Sequence, residues 1–329
     1  MKVNFEKLSK SYRKKKLLVV GDVILDAYVW GIVNRISPEA PVPIVQSGEH
    51  GQQPGGAANV ALNLTNLGAK VSLVGLVGDD DEGVSLTNAL SNDSNISTHL
   101  LVDQGRPTTI KTRVIADGHH VVRIDREQLD PIRTEIVDQL KEILEPLVQQ
   151  SDGIILQDYN KGLFTKEIIY WTIAKGKEYT VPVYVDPKHK NFSCYKNVRM
   201  IKPNLSEFRS YVGKDMELPK SGFKLKNELK TDILLVTKGA AGISIFYDHM
   251  YESIETKARA VHDVSGAGDT VLGTFALNDV CGLSPKDSTI LANIAAGRVC
   301  EEVGVVPITS KGLYVGKINK LGTVKTIIR

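Results

Sequence analysis

The chain has 329 residues, enough for one large α/β unit with a sizeable core. Its 41 basic and 38 acidic side chains leave a formal charge of +3, and so near a balance argues against a general nucleic-acid binder. Cys194, Cys281 and Cys300 are too few and too widely spaced for a disulfide framework or a zinc motif, which points to a reducing compartment.

The N-terminus, MKVNFEKLSKSYRKKKLLVVGD, is basic, but its apolar run LLVV is too short for a signal-peptide core. No segment approaches a membrane span, so a soluble cytoplasmic protein without a membrane partner is expected. LLVVG (17–21) reads as a strand. Over 56–67, Val60, Leu64 and Leu67 share one helical face, with Gly68 as the stop. KVSLVGLVG follows as a strand region, and 132–148 carry a helical stripe from Ile132 to Val148. Then come GIILQ, a helix from about Thr165, PVYVD, VRMIK, a short helix at NLSEFRSYV, DILLVTK and a hairpin-like GAAGISIFY. Helices near 267–280 and 285–303 close the pattern. Buried strands alternating with helices predict a single α/β domain over 1–329, its mostly parallel central sheet flanked by helices on both faces. Ligands in such folds gather at the carboxyl ends of the strands. Two segments, about 28–49 and 108–125, read instead as β-strands with turn chemistry, the second turning at DGHH. Together they predict a small β-sheet lid, with Pro38, Pro41 and Pro43 suited to its edge. His119 and His120 belong to an exposed turn and receive no role.

The chemistry concentrates in HDVSGAGDTVLGTFA (262–276). Glycines permit close backbone approach and positive φ, and a helix start aims unpaired amides outward. The amides of Gly266, Ala267 and Gly268 therefore form an anion hole, and Asp269 lies beside the bound anion. A carboxylate there makes sense as the base that deprotonates an incoming hydroxyl, which is phosphoryl transfer to an alcohol. Alone, GAGD reads equally as an ordinary glycine turn before an acidic residue favoured by the helix dipole. No Walker A sequence occurs, which disfavours a P-loop enzyme. A second cluster, PGGAANVALNLTNLG (54–68), opens another helix with Gly55 and Gly56, and Asn59 in its first turn suits a polyol.

These two motifs, in this order and separation, resemble the signatures of the ribokinase-like (PfkB) carbohydrate kinases. VVGDVILD, VGLVGDD, KPNLSEF, VTKGAAGI and ANIAAG extend the resemblance over essentially the whole chain. The resemblance implies ATP as co-substrate with Mg2+, Asp269 as general base and the Gly266–Gly268 amides as the anion hole. Asn204 and Glu207 match the motif that influences nucleotide phosphates and magnesium, Glu207 through water, although Asn-x-x-Glu is also a helix-capping pair. Thr237, Lys238, Gly239 and Gly242 match the nucleotide-side turn, Asn293 the adenine position, and Asp26 the aspartate that binds sugar hydroxyls. In many relatives a monovalent cation, K+, sits near the residue matching Asp263.

Within that family NRISPEAPVPIV, PGGAANVALNL, DYNKGL and VDPK look like the D-glycero-D-manno-heptose 7-phosphate kinases of lipopolysaccharide-core synthesis. Many of those are fused to a nucleotidyltransferase with an HxGH-type motif. None occurs here, so the stand-alone form is expected. A phosphorylated acceptor needs cations, and the candidates are Lys111 and Arg113 on the lid, Lys161 and Lys188, with Asp158 for sugar hydroxyls. Any single lysine or arginine is more often a solvated surface charge, but three of these sit in family-specific strings, which favours Lys161 and Arg113 for substrate contact and Lys188 less strongly. Exposed lid edges predict a homodimer joined through the lid. The alternatives are a kinase for another sugar or sugar phosphate, or a catalytically silent sugar- or nucleotide-binding regulator. The intact Gly266–Asp269 string argues against the last.

Overall fold

The computed structural model describes residues 4–213, 217–256, 263–302, 304–310, 313 and 324–328. Helix α1 (Phe5–Tyr12) leads into strand β1 (Lys16–Gly21). A long hairpin, β2 (Val23–Ile36) and β3 (Pro43–Gly56), then runs into α2 (Ala57–Leu67), which a left-handed Gly68 ends before β4 (Lys70–Val77). Helix α3 (Asp81–Ser91), capped by the Asp80 side chain, precedes β5 (Ile96–Val102). A second hairpin, β6 (Ile110–Ala116) and β7 (His119–Arg126), turns on Asp117 and Gly118 at φ 51° and 78°, the two-residue geometry that suits twisted strands. Next come α4 (Thr134–Gln149), β8 (Gly153–Gln157), α5 (Lys166–Glu178), β9 (Val183–Asp186) and β10 (Met200–Ile201). Helices α6 (Leu205–Val212) and α7 (Leu218–Leu229) lead to β11 (Ile233–Thr237), β12 (Ile243–Tyr247) and β13 (Met250–Ile254). Helices α8 (Ala267–Val280) and α9 (Pro285–Val299) and strand β14 (Val324–Ile328) follow.

Among the described residues the main sheet has ten strands in the order β14-β13-β12-β11-β10-β9-β8-β1-β4-β5. The run from β5 to β11 is parallel, and β12 to β14 add an antiparallel edge. Strand periodicity divides the core. Leu17 and Val19 of β1 pack with α1, α2, α8 and α9 on one face, whereas Leu18 and Val20 pack with α4, α5 and α7 on the other. Both faces are covered, so β1 reads as a continuous apolar run. This is the ribokinase-like α/β arrangement.

The smaller sheet is built from the two segments expected to form a lid. Its order is β3-β2-β6-β7, with β2 and β6 parallel and the other pairs antiparallel. Pro43 opens the edge strand β3, where its missing N–H costs no ladder bond. The lid strands reach further than 28–49, because β2 begins at Val23 and β3 ends at Gly56. Helix α9 stops at Val299, short of 303, and α3, β5 and α7 are elements that apolar periodicity did not single out. No helix among the described residues is long and apolar enough to cross a membrane.

The join between lid and main domain is a strained point that only glycine tolerates. Gly56 stands at φ 59°, ψ −131°, and a Cβ there would lie 2.4 Å from the Asp22 carbonyl oxygen. Gly56→Ala should therefore cost roughly 1–3 kcal/mol and lower the melting temperature by several degrees in scanning calorimetry. An unchanged melting temperature would show that this joint relaxes freely.

Candidate active site

Strands β1, β8, β9, β10 and β11 are neighbours and parallel, so their carboxyl ends line one edge of the sheet. That edge presents Asp22 after β1, Gln157 and Asp186 at the ends of β8 and β9, Lys202 after β10 and Thr237 at the end of β11. The N-terminus of α8 enters the same place and brings Asp269 with it. This is where an open α/β sheet offers a ligand crevice.

Asp269 is buried, only 3% exposed. Its Oδ1 accepts from Gln157 Nε2 at 3.1 Å and from the Tyr159 hydroxyl at 2.8 Å, and its Oδ2 accepts from Asn59 Nδ2 at 2.9 Å. The Asn59 orientation follows from its neighbour, since Asn63 Nδ2 donates to Asn59 Oδ1 at 3.1 Å and leaves the amide N–H groups for Asp269. Burial pushes the Asp269 carboxyl up to about 6, and nearby Asp186 adds to the rise. The Asn59 and Tyr159 hydrogen bonds and the Lys202 charge oppose it but do not win. Asp263 illustrates the opposite balance. Burial also raises that carboxyl, yet amide donation from Ser265 at 2.8 Å and Gly304 at 3.2 Å holds it below its ordinary range.

The mouth of α8 is built for an anion. Gly266 is left-handed (φ 77°), and a Cβ there would fall 2.6 Å from Asn59 Nδ2. Of the expected hole amides, that of Ala267 is already used, donating to the Val264 carbonyl at 3.3 Å. The Gly266 and Gly268 amides have no partner among the described residues. Lys202 Nζ lies 3.5 Å from where a Gly268 Cβ would be, so a buried ammonium joins the helix N-terminus. Lys202 is itself paired with Asp186 at 3.0 Å.

In front of this mouth opens a cleft of about 660 Å3 lined by Asn204, Glu207, Thr237, Lys238, Gly239, Gly242 and Asn293, together with Gly268, Lys188 and Lys202. All the residues expected on the nucleotide side thus share one cavity. Asn204 and Glu207 form a reciprocal cap on α6, at 2.9 and 2.8 Å, and Glu207 Oε1 also pairs with Lys188 at 2.5 Å. Asn293 is committed at both ends of its amide, accepting from Thr256 Oγ1 at 2.7 Å and donating to the Glu255 carbonyl at 3.0 Å. Asp186 Oδ1 is buried without a hydrogen-bond partner among the described residues and lines the cleft with Glu207. A hard cation with oxygen ligands fits that orphaned oxygen. No cluster of three or more His, Cys, Asp or Glu occurs among the described residues, so the protein offers such an ion few ligands, as magnesium–nucleotide sites do.

The sugar-side expectations divide. Lys111 and Lys188 place their ammoniums 5.1 and 5.2 Å from the Tyr159 ring centroid. Lys161 is paired with Glu127 at 2.7 Å, and Arg113 with Asp26 at 2.5 Å while resting over Tyr28. Gly55 lets Asp26 fold in, because a Cβ would come 1.9 Å from Asp26 Oδ2. Three of these residues are engaged within the protein. Asn59, expected to meet a polyol, is 1% exposed and turned toward Asp269. Lys188 belongs to the nucleotide cleft. Asp158 is fully buried, its oxygens taken by Asn160 N, Asn191 Nδ2 and the Tyr195 hydroxyl, so it holds its loop together. Gln157, Tyr159, Asp186 and Lys202 were missed, although Tyr159, Asp186 and Lys202 lie within the quoted strings DYNKGL, VDPK and KPNLSEF.

Comparison with known proteins places this geometry. The chain is 38% identical over 300 residues to "Bifunctional protein HldE" of Nitratiruptor sp., covering 90% of this chain and 63% of that one. It is 39% identical over 294 residues to the protein of that name in Helicobacter pylori strain P12, covering 88% and 64%. The chain therefore spans less than two thirds of the length of these curated relatives. Its fold matches phosphofructokinase-2 of Escherichia coli, solved with substrates and products, at a TM-score of 0.76 and 16% identity over 91% of this chain and 96% of the other. Matched from residue 14 to residue 311, the chain belongs to the pfkB family of carbohydrate kinases.

Proposed function

We propose that the chain transfers the γ-phosphoryl group of ATP to the anomeric hydroxyl of D-glycero-D-manno-heptose 7-phosphate, giving the β-1,7-bisphosphate used toward ADP-heptose and the lipopolysaccharide core. The observation that carries the reaction type is the buried Asp269 carboxylate in the first turn of α8, next to Gly268 and near Lys202, both of which line a cleft of about 660 Å3, with the Gly266 and Gly268 amides unpartnered among the described residues. The acceptor is supported by the strings NRISPEAPVPIV, DYNKGL and VDPK and by the identity to the bifunctional HldE proteins.

Asp269 Oδ1 already holds two donors and Oδ2 only one, so Oδ2 has the lone pair for the acceptor. The sugar O–H bond breaks and its proton goes to Oδ2. The sugar oxygen bonds the γ-phosphorus as the bond from that phosphorus to the β–γ bridging oxygen breaks, and ADP departs. The Gly266 and Gly268 amides and Lys202 stabilise charge on the phosphoryl oxygens. Mg2+ near Asp186 and Glu207 would neutralise nucleotide phosphate charge. A monovalent cation, K+, near Asp263 completes the proposed ligand set.

Lys161 and Arg113 are the cations the sequence favours for the sugar-phosphate clamp, but the pattern of ion pairs supports Lys111 as its leading member. Arg113 and Lys161 each have a carboxylate, whereas Lys111 has no ion pair among the described residues and burial lowers its ammonium's pKa. Lys111 is half-buried on strand β6, across from Asp26 and Asp125 on the neighbouring strands but at ion-pair distance from neither, so its ammonium remains available to an anionic ligand. The lid also exposes Ile32, Ile36, Val42, Val122 and Ile124, which supports a homodimer joined through it.

Four outcomes follow. Asp269→Asn should fold and bind ATP while turnover falls about 10²–10⁴-fold, and near-normal turnover would remove Asp269 from the mechanism. Because the base must be ionised, wild-type activity should fall as pH drops through about 6, the value to which burial pushes Asp269. Lys111→Ala should lower kcat/KM for heptose 7-phosphate about ten- to hundredfold and for unphosphorylated heptose much less. Equal losses on the two sugars would contradict the clamp. Light scattering should give a dimer at assay concentrations, and a monomer would overturn the lid interface.

A further inference from the structure

Tyr159 is tied to the reaction centre at three points. It lies two residues beyond the carboxyl end of β8, in a turn where Asn160 and Gly162 take φ of 58° and 91°. Its amide donates to Asp22 Oδ2 at 2.8 Å, and the same oxygen takes the Lys161 amide at 3.1 Å, so the turn hangs on one buried carboxylate at the end of β1. Its hydroxyl donates to Asp269 Oδ1 at 2.8 Å. Its ring has the lid ammonium of Lys111 at 5.1 Å and the cleft ammonium of Lys188 at 5.2 Å.

These contacts have a joint consequence. We propose that Tyr159 is the positioning residue for the base, its hydroxyl fixing Asp269 so that Oδ2 faces the acceptor, its ring setting the lid lysine and the cleft lysine at fixed reach. The inference rests on Asp269 being the base. Asp269 otherwise faces the neutral donors Asn59 from α2 and Gln157 from β8 and the charged groups Asp186 at the end of β9, Lys202 after β10 and Lys188. Burial and the neighbouring carboxylates push the Tyr159 phenol well above its ordinary range, so it stays a neutral donor throughout the working pH. Of the donors to Oδ1, Gln157 Nε2 is shared with Asp186 Oδ2 at 3.1 Å, whereas the Tyr159 hydroxyl makes its bond to Asp269 alone among the described residues. Losing that hydroxyl removes a hydrogen bond that favours the ionised base, and it frees Oδ1 to rotate. A packing role would predict neither effect, because Tyr159→Phe keeps the ring and its volume.

The test is steady-state kinetics across the acid limb for wild type, Tyr159→Phe, Tyr159→Ala and Asp269→Asn. The acceptor is heptose 7-phosphate, or whichever sugar a substrate panel shows to turn over. Tyr159→Phe should lower kcat about tenfold and move the acid limb upward by roughly one pH unit, with KM for ATP and sugar nearly unchanged. Tyr159→Ala should show the same displaced limb and, with the ring gone, a higher KM for both substrates. A Tyr159→Phe limb superimposable on wild type, with Asp269→Asn inactive, would overturn the Tyr159 inference and leave the base reading standing. An active Asp269→Asn, or a wild type without an acid limb, would overturn the base reading and this inference with it.

Discussion

Burial and helix geometry act on Asp269 in opposite senses, and the site follows from how that conflict is balanced. The first turn of α8 favours negative charge through its dipole and unpaired amides, while removal from water raises the carboxyl to about 6. A carboxylate in that condition is ionised at neutral pH yet basic enough to accept a proton, which suits a general base. Without the three donors Asn59, Gln157 and Tyr159 the cost of burying it would be greater. Those donors come from α2, from β8 and from the turn after β8, so the packing of α2 against α8 and the register of the sheet are both preconditions for the chemistry.

The same logic organises the cations. Lys202 and Asp186 neutralise one another beneath the helix mouth, and Lys188 and Glu207 do so at the rim of the cleft. Paired charges of this kind are already compensated and hold geometry. Among the described residues, Asp186 Oδ1 lacks a hydrogen-bond partner on the cleft side and Lys111 lacks an ion pair on the smaller sheet. A metal-bound nucleotide and an anionic sugar would satisfy them in turn. The smaller sheet carries Lys111, Arg113 and Asp26 on adjacent strands in register, Asp26 opposite Lys111 and Tyr28 opposite Arg113, so the groups proposed to meet the acceptor lie together on it.

Much of this was legible in the chain because glycine chemistry is local. Gly266 and Gly56 take positive-φ conformations that glycine favours, and a helix start after such a glycine can be read without any partner. The apolar runs of β1 and β8 and the Asn204–Glu207 cap were legible for the same reason. What escaped depends on partners far away in sequence. Tyr159 and Gln157 gain their meaning from Asp269, 110 and 112 positions later, and Lys202 from Asp186 and the mouth of α8. The pairing of Arg113 with Asp26 exists only because β2 and β6 lie side by side. Helix α3 was missed because its buried stripe is thin, Leu86 and Leu90 beside Gly83, and β5 because it is a half-exposed edge strand.

The central claim is that a buried carboxylate directs the γ-phosphoryl group onto the anomeric oxygen of a sugar phosphate. Phosphorus-31 NMR of the reaction with ATP and D-glycero-D-manno-heptose 7-phosphate tests it most directly. The account predicts one new sugar phosphorus per ADP formed, its resonance coupled to the anomeric proton, with the original 7-phosphate signal retained. ADP accompanied only by inorganic phosphate, or a new phosphate coupled to any other sugar proton, would contradict it.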